Sequence, residues 1–206
     1  MRTDVTDDDL EFLRDIADAG AHAPLLGGRF LVWWGGAITI AYGLHYGLMT
    51  GVIGPSPAWV GPMWMGLIAL ALIGYFVLGA VFPSDKPGAA APGNRAKIVW
   101  MGAGFSIFAF FSGAVPAAYL GRISPDALTY SLPLVFAVYA CALMVTGGLA
   151  RDRTSLIAGW LAIVFVALTI FFVSTLEVYL IAMAGVFLCA FVPGIILLSA
   201  EPKSVV

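Results

Sequence analysis

Few side chains in the long apolar segments of this sequence could take part in chemistry. His45 lies in the outer part of the first segment, and Arg122, Asp126 and Glu177 lie at the ends of later ones. With an even number of membrane spans these four residues face the same side, where a histidine near a carboxylate could act as a general base. They define a candidate outer polar cluster, with Tyr46, Tyr119 and Tyr179 towards the same side. The alternative is that they only mark the headgroup region, where charged side chains at helix ends are routine.

The apolar segments hold no Asp, Glu, Lys or Arg deep within them. Ion-coupled transporters, proton relays and intramembrane hydrolases need such groups, so the sequence argues against these classes. The two histidines, His22 and His45, fall on opposite sides, which excludes a bis-histidine haem site within one chain. Cys141 and Cys189 fall near the middles of two segments and are interpreted as small apolar side chains. We therefore assign no catalytic residue, no metal site and no cofactor, and do not expect an enzyme.

The composition indicates a protein built for lipid. Hydrophobic residues make up 61% of the 206 residues, charged residues only 11%, and the mean hydropathy is +0.98. A membrane core needs about 20 apolar residues per helix, and six segments meet that length. The predicted fold is all-α, a bundle of six transmembrane helices over residues 30–52, 59–82, 98–120, 128–150, 156–173 and 178–199. The break at 174–177 is the weakest, but a single bent helix there would be about twice as long as a membrane is thick.

Lysine and arginine set the predicted orientation, because basic residues are retained on the cytoplasmic side. In a six-span arrangement Arg122 falls on one side and the other nine of the ten basic residues fall on the opposite side. Both termini are therefore predicted to be cytoplasmic, in an integral protein of a bacterial inner membrane. Three regions follow: a cytoplasmic segment 1–27, a bundle 28–200 and a short tail 201–206.

The N-terminal segment is predicted to form a short acidic amphipathic helix. Thr6 can cap it, and the three aspartates that follow suit the helix start. An apolar face for a protein partner is formed by Leu10, Phe12, Leu13 and Ile16. The helix could instead dock on the basic ends of its own bundle, or the segment could be a frayed tail.

Glycine and proline provide the predicted packing signals. Gly43, Gly47 and Gly51 recur every fourth residue, a spacing that lets a neighbouring helix approach closely. That neighbour could belong to the same chain or to another subunit. Pro116 and Pro193 lie inside their spans and should bend them.

The predicted function is contact with a partner, as a scaffold, accessory subunit or regulator. The first alternative is a small transporter or channel for an apolar or weakly polar solute, and a third is a lipid-acting enzyme at the outer polar cluster. Membrane lipids surround the bundle in each case, and no basic tract suggests nucleic acid.

Overall fold

The computed structural model describes residues 27–54, 56–82 and 92–200. These ranges form helices and turns without strands. The helices are α1 (Gly28–Met49), α2 (Val60–Val81), α3 (Pro92–Tyr119), α4 (Ser131–Ala150), α5 (Arg153–Phe171), α6 (Glu177–Val186) and α7 (Val192–Ala200). A turn of π-helix, Phe187–Phe191, joins α6 to α7, so the two form one continuous span.

The predicted helical membrane bundle is confirmed. Five segments are long and apolar enough to cross a membrane: Pro57–Val81, Ala96–Tyr119, Pro125–Ala150, Arg153–Phe171 and Glu177–Ala200. The helix α1 has 22 residues but is not one of the five, since it contains five glycines together with Arg29 and His45. The predicted count of six spans therefore depends on α1, the least apolar of the six.

The turns that end the helices follow from local chemistry. The Asp152 side chain accepts hydrogen bonds from the backbone nitrogens of Thr154 (3.3 Å) and Ser155 (2.7 Å) and so caps the start of α5. Arg151 adopts a left-handed conformation, with φ of 52°, at the end of α4. This tight turn brings α4 and α5 together along their length. The predicted break near 174–177 is also observed as a turn, because α5 ends at Phe171 and α6 begins at Glu177.

The core is built from small, aliphatic and aromatic side chains of α1, α4, α5, α6 and the π-helical turn. Two buried threonines have paired hydroxyls, because each donates to a carbonyl one turn earlier on its own helix. Thr146 donates to Ala142 over 2.7 Å, and Thr169 donates to Phe165 over 2.6 Å.

Each helix packs against its neighbours in the series α2, α1, α6, α5, α4, α3. The helix α7 continues α6 in this series. The helices at the two ends of this order are poorly buried. Ala71 is the one buried residue of α2, whereas α4 buries nine. In the part of α3 from residue 96 onward, the buried residues are Ala96 and Ala103. Most of the surface of α2 and α3 is therefore open to lipid or to a partner.

Candidate functional site

His45 lies one turn before the end of α1 and contacts aromatic rings from two other helices. The indole nitrogen of Trp64, on α2, donates a hydrogen bond of 3.1 Å to His45 Nδ1. An indole N–H can only donate, so Nδ1 carries a lone pair and the proton of the neutral ring sits on Nε2. The Tyr179 ring, on α6, stacks on the imidazole with centroids 3.8 Å apart and an interplanar angle of 26°.

Tyr179 extends this contact to the other side of the bundle. Its hydroxyl lies 3.4 Å from the Thr129 hydroxyl, in the 3-10 turn Pro125–Tyr130 that precedes α4. The chain of contacts from His45 through Tyr179 to Thr129 thus joins α1, α6 and the start of α4.

Two tyrosine–tryptophan pairs link neighbouring helices. The ring of Tyr42 on α1 meets Trp64 edge to face with centroids 5.2 Å apart, and that of Tyr139 on α4 meets Trp100 of α3 in the same way at 5.5 Å. Through Trp64, the Tyr42 ring joins the chain of contacts that runs from His45 to Tyr179. We refer to the group that these contacts connect as the aromatic cluster: Tyr42, His45, Trp64 and Tyr179.

The remaining members of the predicted outer polar cluster lie on the surface. Arg122, Asp126 and Glu177 are all exposed. Glu177 starts α6, two residues before Tyr179, and Asp126 lies in the same 3-10 turn as Thr129. The hydrogen bond to His45 comes from an indole rather than from a carboxylate. This geometry lacks the histidine–carboxylate contact that a general-base mechanism at His45 would use.

The three glycines of the predicted stripe have different environments. A Cβ atom on Gly43 would lie 3.1 Å from Met183 Sδ, so this glycine faces α6. A Cβ on Gly47 would meet Ile53, in the loop that follows α1. Gly51 lies beyond the end of α1 with a φ of +73° and no atom near the Cβ position. Of the three, Gly43 is the one whose nearest neighbour at the Cβ position belongs to another helix.

Other glycines bring α1 and α7 into backbone contact. A Cβ on Gly35 would lie 2.6 Å from the nitrogen of Phe191, and one on Gly28 would lie 2.8 Å from the oxygen of Gly194. In the opposite direction, a Cβ on Gly194 would lie 2.6 Å from the nitrogen of Val32. Sequence reasoning missed this contact because the glycines of α1 that make it are seven residues apart rather than four. A glycine repeat of seven residues, which is two turns of a helix, would have predicted it.

The described residues contain no group of three or more His, Cys, Asp or Glu that could hold a metal ion. Cys141 is exposed and Cys189 is buried, and both are free thiols. The predicted partner-binding residues Leu10, Phe12, Leu13 and Ile16 lie outside the described residues.

No protein-family model, curated protein or solved structure matches this chain.

Proposed function

We propose that the protein acts by lateral contact in the membrane, as an accessory subunit or regulator of another membrane protein. The observation that carries the proposal is a seam of large exposed side chains along α3. Successive members of the seam are three, four or, once, seven residues apart, and they are Ile98, Met101, Phe105, Phe108, Val115 and Tyr119.

The spacing of this seam is the one used in helix–helix packing. Positions three and four residues apart form the contact line of a left-handed helix pair, in which large side chains insert between those of the neighbour. The exposed fractions of Phe105 and Phe108 are 67% and 69%. These two side chains therefore point away from the bundle and do not fill its core. The exposed positions beside the seam are small, among them Gly102, Ala109 and Gly113.

Small residues beside large ones suit association in lipid. Helices in a membrane gain little from the hydrophobic effect and associate through close packing instead. A Cβ placed on Gly102 or Gly113 would have no atom within 4 Å, so room for a neighbouring backbone is left there. The proposed occupant is an apolar transmembrane helix of a different protein, with the N-terminal segment adding a cytoplasmic contact.

Photo-crosslinking in native membranes tests this proposal. A photoreactive phenylalanine analogue at position 105 or 108 should give an adduct with one membrane protein, identified by mass spectrometry. The matched control is the same analogue at Phe171 on α5, which is 80% exposed but lies outside the seam. The replacement F105S/F108S should then abolish copurification of that protein while the bundle stays folded.

Two results would contradict the proposal. Adducts with lipid alone at both seam positions, equal to those at Phe171, would mean that the seam faces the bilayer. Adducts between two copies of this chain would mean that α3 serves self-association rather than a partner.

A further inference from the structure

Two tryptophan indoles tie α2 to α1. Trp33 of α1 donates a hydrogen bond of 2.8 Å to the Ala71 carbonyl oxygen, and Trp64 of α2 donates one of 3.1 Å to His45 Nδ1. Ala71 is the one buried residue of α2, so packing adds little to these two bonds. The position of α2 therefore depends on the two hydrogen bonds more than that of a deeply buried helix would.

The two hydrogen bonds differ in their acceptors. The Ala71 carbonyl oxygen accepts at any pH, whereas a histidine nitrogen accepts only while it carries a lone pair. In acid a proton from water binds to His45 Nδ1, since Nε2 already carries one, and the imidazolium then has two donors and no acceptor. The Trp64 N–H, which can only donate, then faces another donor. The bond to His45 is lost in acid, and the bond to Ala71 is not.

The charged imidazole has a second partner, which lies on α6. The Tyr179 ring stacks on it with centroids 3.8 Å apart, and the face of a tyrosine ring attracts a cation. The helix α6 is fixed in the core, where Val178 and Ala182 are 0% exposed. Protonation therefore strengthens the contact between α1 and α6 while it removes the hydrogen bond between α1 and α2. The helix that moves is α2.

Protons have access to this contact. His45 lies in the last turn but one of α1, which ends at Met49, and both His45 and Trp64 are partly exposed. With both termini cytoplasmic, as predicted, this end of the bundle faces the outside. The histidine then responds to the pH outside the cell.

The phenols around the imidazole do not change their charge in acid. They are Tyr179 on α6 and Tyr42 and Tyr46 on α1, and an ordinary phenol loses its proton only near about pH 10. The helix α2 has one titratable residue, Tyr75, whose ring contacts Phe30 at the opposite end of α1.

The carboxylates of this end of the bundle are Glu177, at the start of α6, and Asp126, in the 3-10 turn before α4. Both are exposed, and within the described residues His45 forms an ion pair with neither. Because carboxylates also take up protons in acid, the test has to separate their effect from that of His45.

We infer that the hydrogen bond between His45 and Trp64 is a pH-sensitive switch: protonation of His45 releases the end of α2 that begins at Val60. The bond between Trp33 and Ala71 holds the middle of α2, and Arg29, which lies 3.9 Å over the Phe82 ring, holds the opposite end. In acid α2 tilts about Ala71, and the side chains that it exposes to lipid change their position. This inference concerns α2 and does not depend on contact through α3.

Thermal unfolding of the full chain in mild detergent tests the chemistry. The replacement W64F removes the donor and should lower the unfolding temperature by about 2 to 4 °C at about pH 7.5. At about pH 3.5 the parent has already lost the bond, so the two should unfold together. The control His45→Asn keeps an acceptor near the Nδ1 position and does not titrate. In that background W64F should cost the same at both pH values.

Distances between pairs of spin labels test the movement. The labels are attached to cysteines in a C141S background, because Cys141 is an exposed free thiol. One pair, M65C/F171C, lies near the ends of α2 and α5 on the side of His45, and the other, V81C/I157C, lies near their opposite ends, all at exposed positions. Acid should lengthen or broaden the first distance and leave the second unchanged. In the H45N background neither distance should change.

The inference is overturned if W64F unfolds like the parent at neutral pH, or if its cost is the same at both pH values in the parent background. It is also overturned if the first distance does not respond to acid, or if it responds equally in H45N, since carboxylates would then be responsible. If W64F does not fold, the parent is compared with H45N alone, and the parent should lose more stability in acid. Loss of the crosslinked partner at α3 leaves these outcomes unchanged, so the two proposals fail separately.

Discussion

The indole nitrogen of Trp33 donates a hydrogen bond of 2.8 Å to the backbone carbonyl oxygen of Ala71 and so ties α1 to α2. The contact is possible because Gly74, one turn further along α2, has no side chain where the indole ring lies. Since Ala71 is the one buried residue of α2, this hydrogen bond lies at the centre of the interface that holds α2 in place.

Replacing Trp33 with Phe should weaken the attachment of α2. The ring would still fill part of the space, but the hydrogen bond, of about 0.5 to 1.5 kcal/mol, would be lost. The expected result is a lower unfolding temperature in detergent. Trp160 is 62% exposed on α5, so W160F should unfold like the parent. Equal behaviour of the two variants would show that the Trp33 hydrogen bond does not stabilise the bundle.

Replacing Gly35 with Ala should destabilise the protein by about 1 to 3 kcal/mol, the usual range for overpacking. The new Cβ would lie 2.6 Å from the nitrogen of Phe191, and neither helix backbone can move without losing other contacts. The matched control is G79A in α2, where nothing lies within 4 Å. Because glycine costs about 0.5 to 1 kcal/mol relative to alanine within a helix, G79A should be slightly stabilising. Thermal unfolding that moves both variants the same way would contradict the backbone contact between α1 and α7.

Replacing Gly51 with Ala should cost about 1 to 2 kcal/mol through backbone strain. Its φ of +73° lies in the left-handed region, which a Cβ atom disfavours, although no neighbour would be touched. Gly51→Asn should be tolerated better, since asparagine enters this region more readily than other side chains. Denaturation in detergent would compare the two, and an alanine variant at least as stable as the asparagine variant would argue against strain.

Replacing Asp152 with Ala should remove the cap of α5 and lower stability by about 0.5 to 2 kcal/mol. The carboxylate accepts hydrogen bonds from the backbone nitrogens of Thr154 and Ser155, and an alanine side chain can accept neither. Asp152→Asn keeps an oxygen that can accept, so unfolding should show it close to the parent. A similar loss in both variants would point to charge rather than capping.

The predicted cytoplasmic position of both termini can be tested directly. A reporter that is active only in the cytoplasm should give signal when fused to the C-terminus. The same reporter inserted after Gly121, in the turn that follows α3, should be silent. A silent but fully expressed C-terminal fusion would overturn the orientation.

The apolar runs predicted the helices well because length and hydropathy alone determine which segments can cross a membrane. The start of α4 was less predictable. The residues Pro125–Tyr130 form a 3-10 turn, so the α-helix begins at Ser131, although the apolar run from which the span was predicted begins at Leu128. The glycine repeat was visible, but α1 ends at Met49, which leaves Gly51 in the loop. Periodicity identifies a face and not the point at which a helix stops.

His45 was recognisable as the exceptional polar residue of its span. Its partners were not, because Trp64 and Tyr179 are distant in sequence and both resemble ordinary interfacial aromatic residues. Which rings meet depends on how helices are rotated about their axes, and a pattern within one helix contains no information on its neighbour.

The π-helical turn Phe187–Phe191 corrects the phase of the last span. An α-helix advances by about 100° per residue, so over a full membrane crossing a line of contacts drifts around the axis. The wider turn accommodates one additional residue and resets that drift, which allows Tyr179 before it and Gly194 after it to face the same helix, α1. If this turn were regular α-helix with the same number of residues, every residue beyond it would be rotated about the helix axis and Gly194 would turn away from Val32. A side chain would then occupy the place where two backbones now meet, so the wider turn maintains the contact between α1 and α7 although the sequence of this span is almost uniformly apolar.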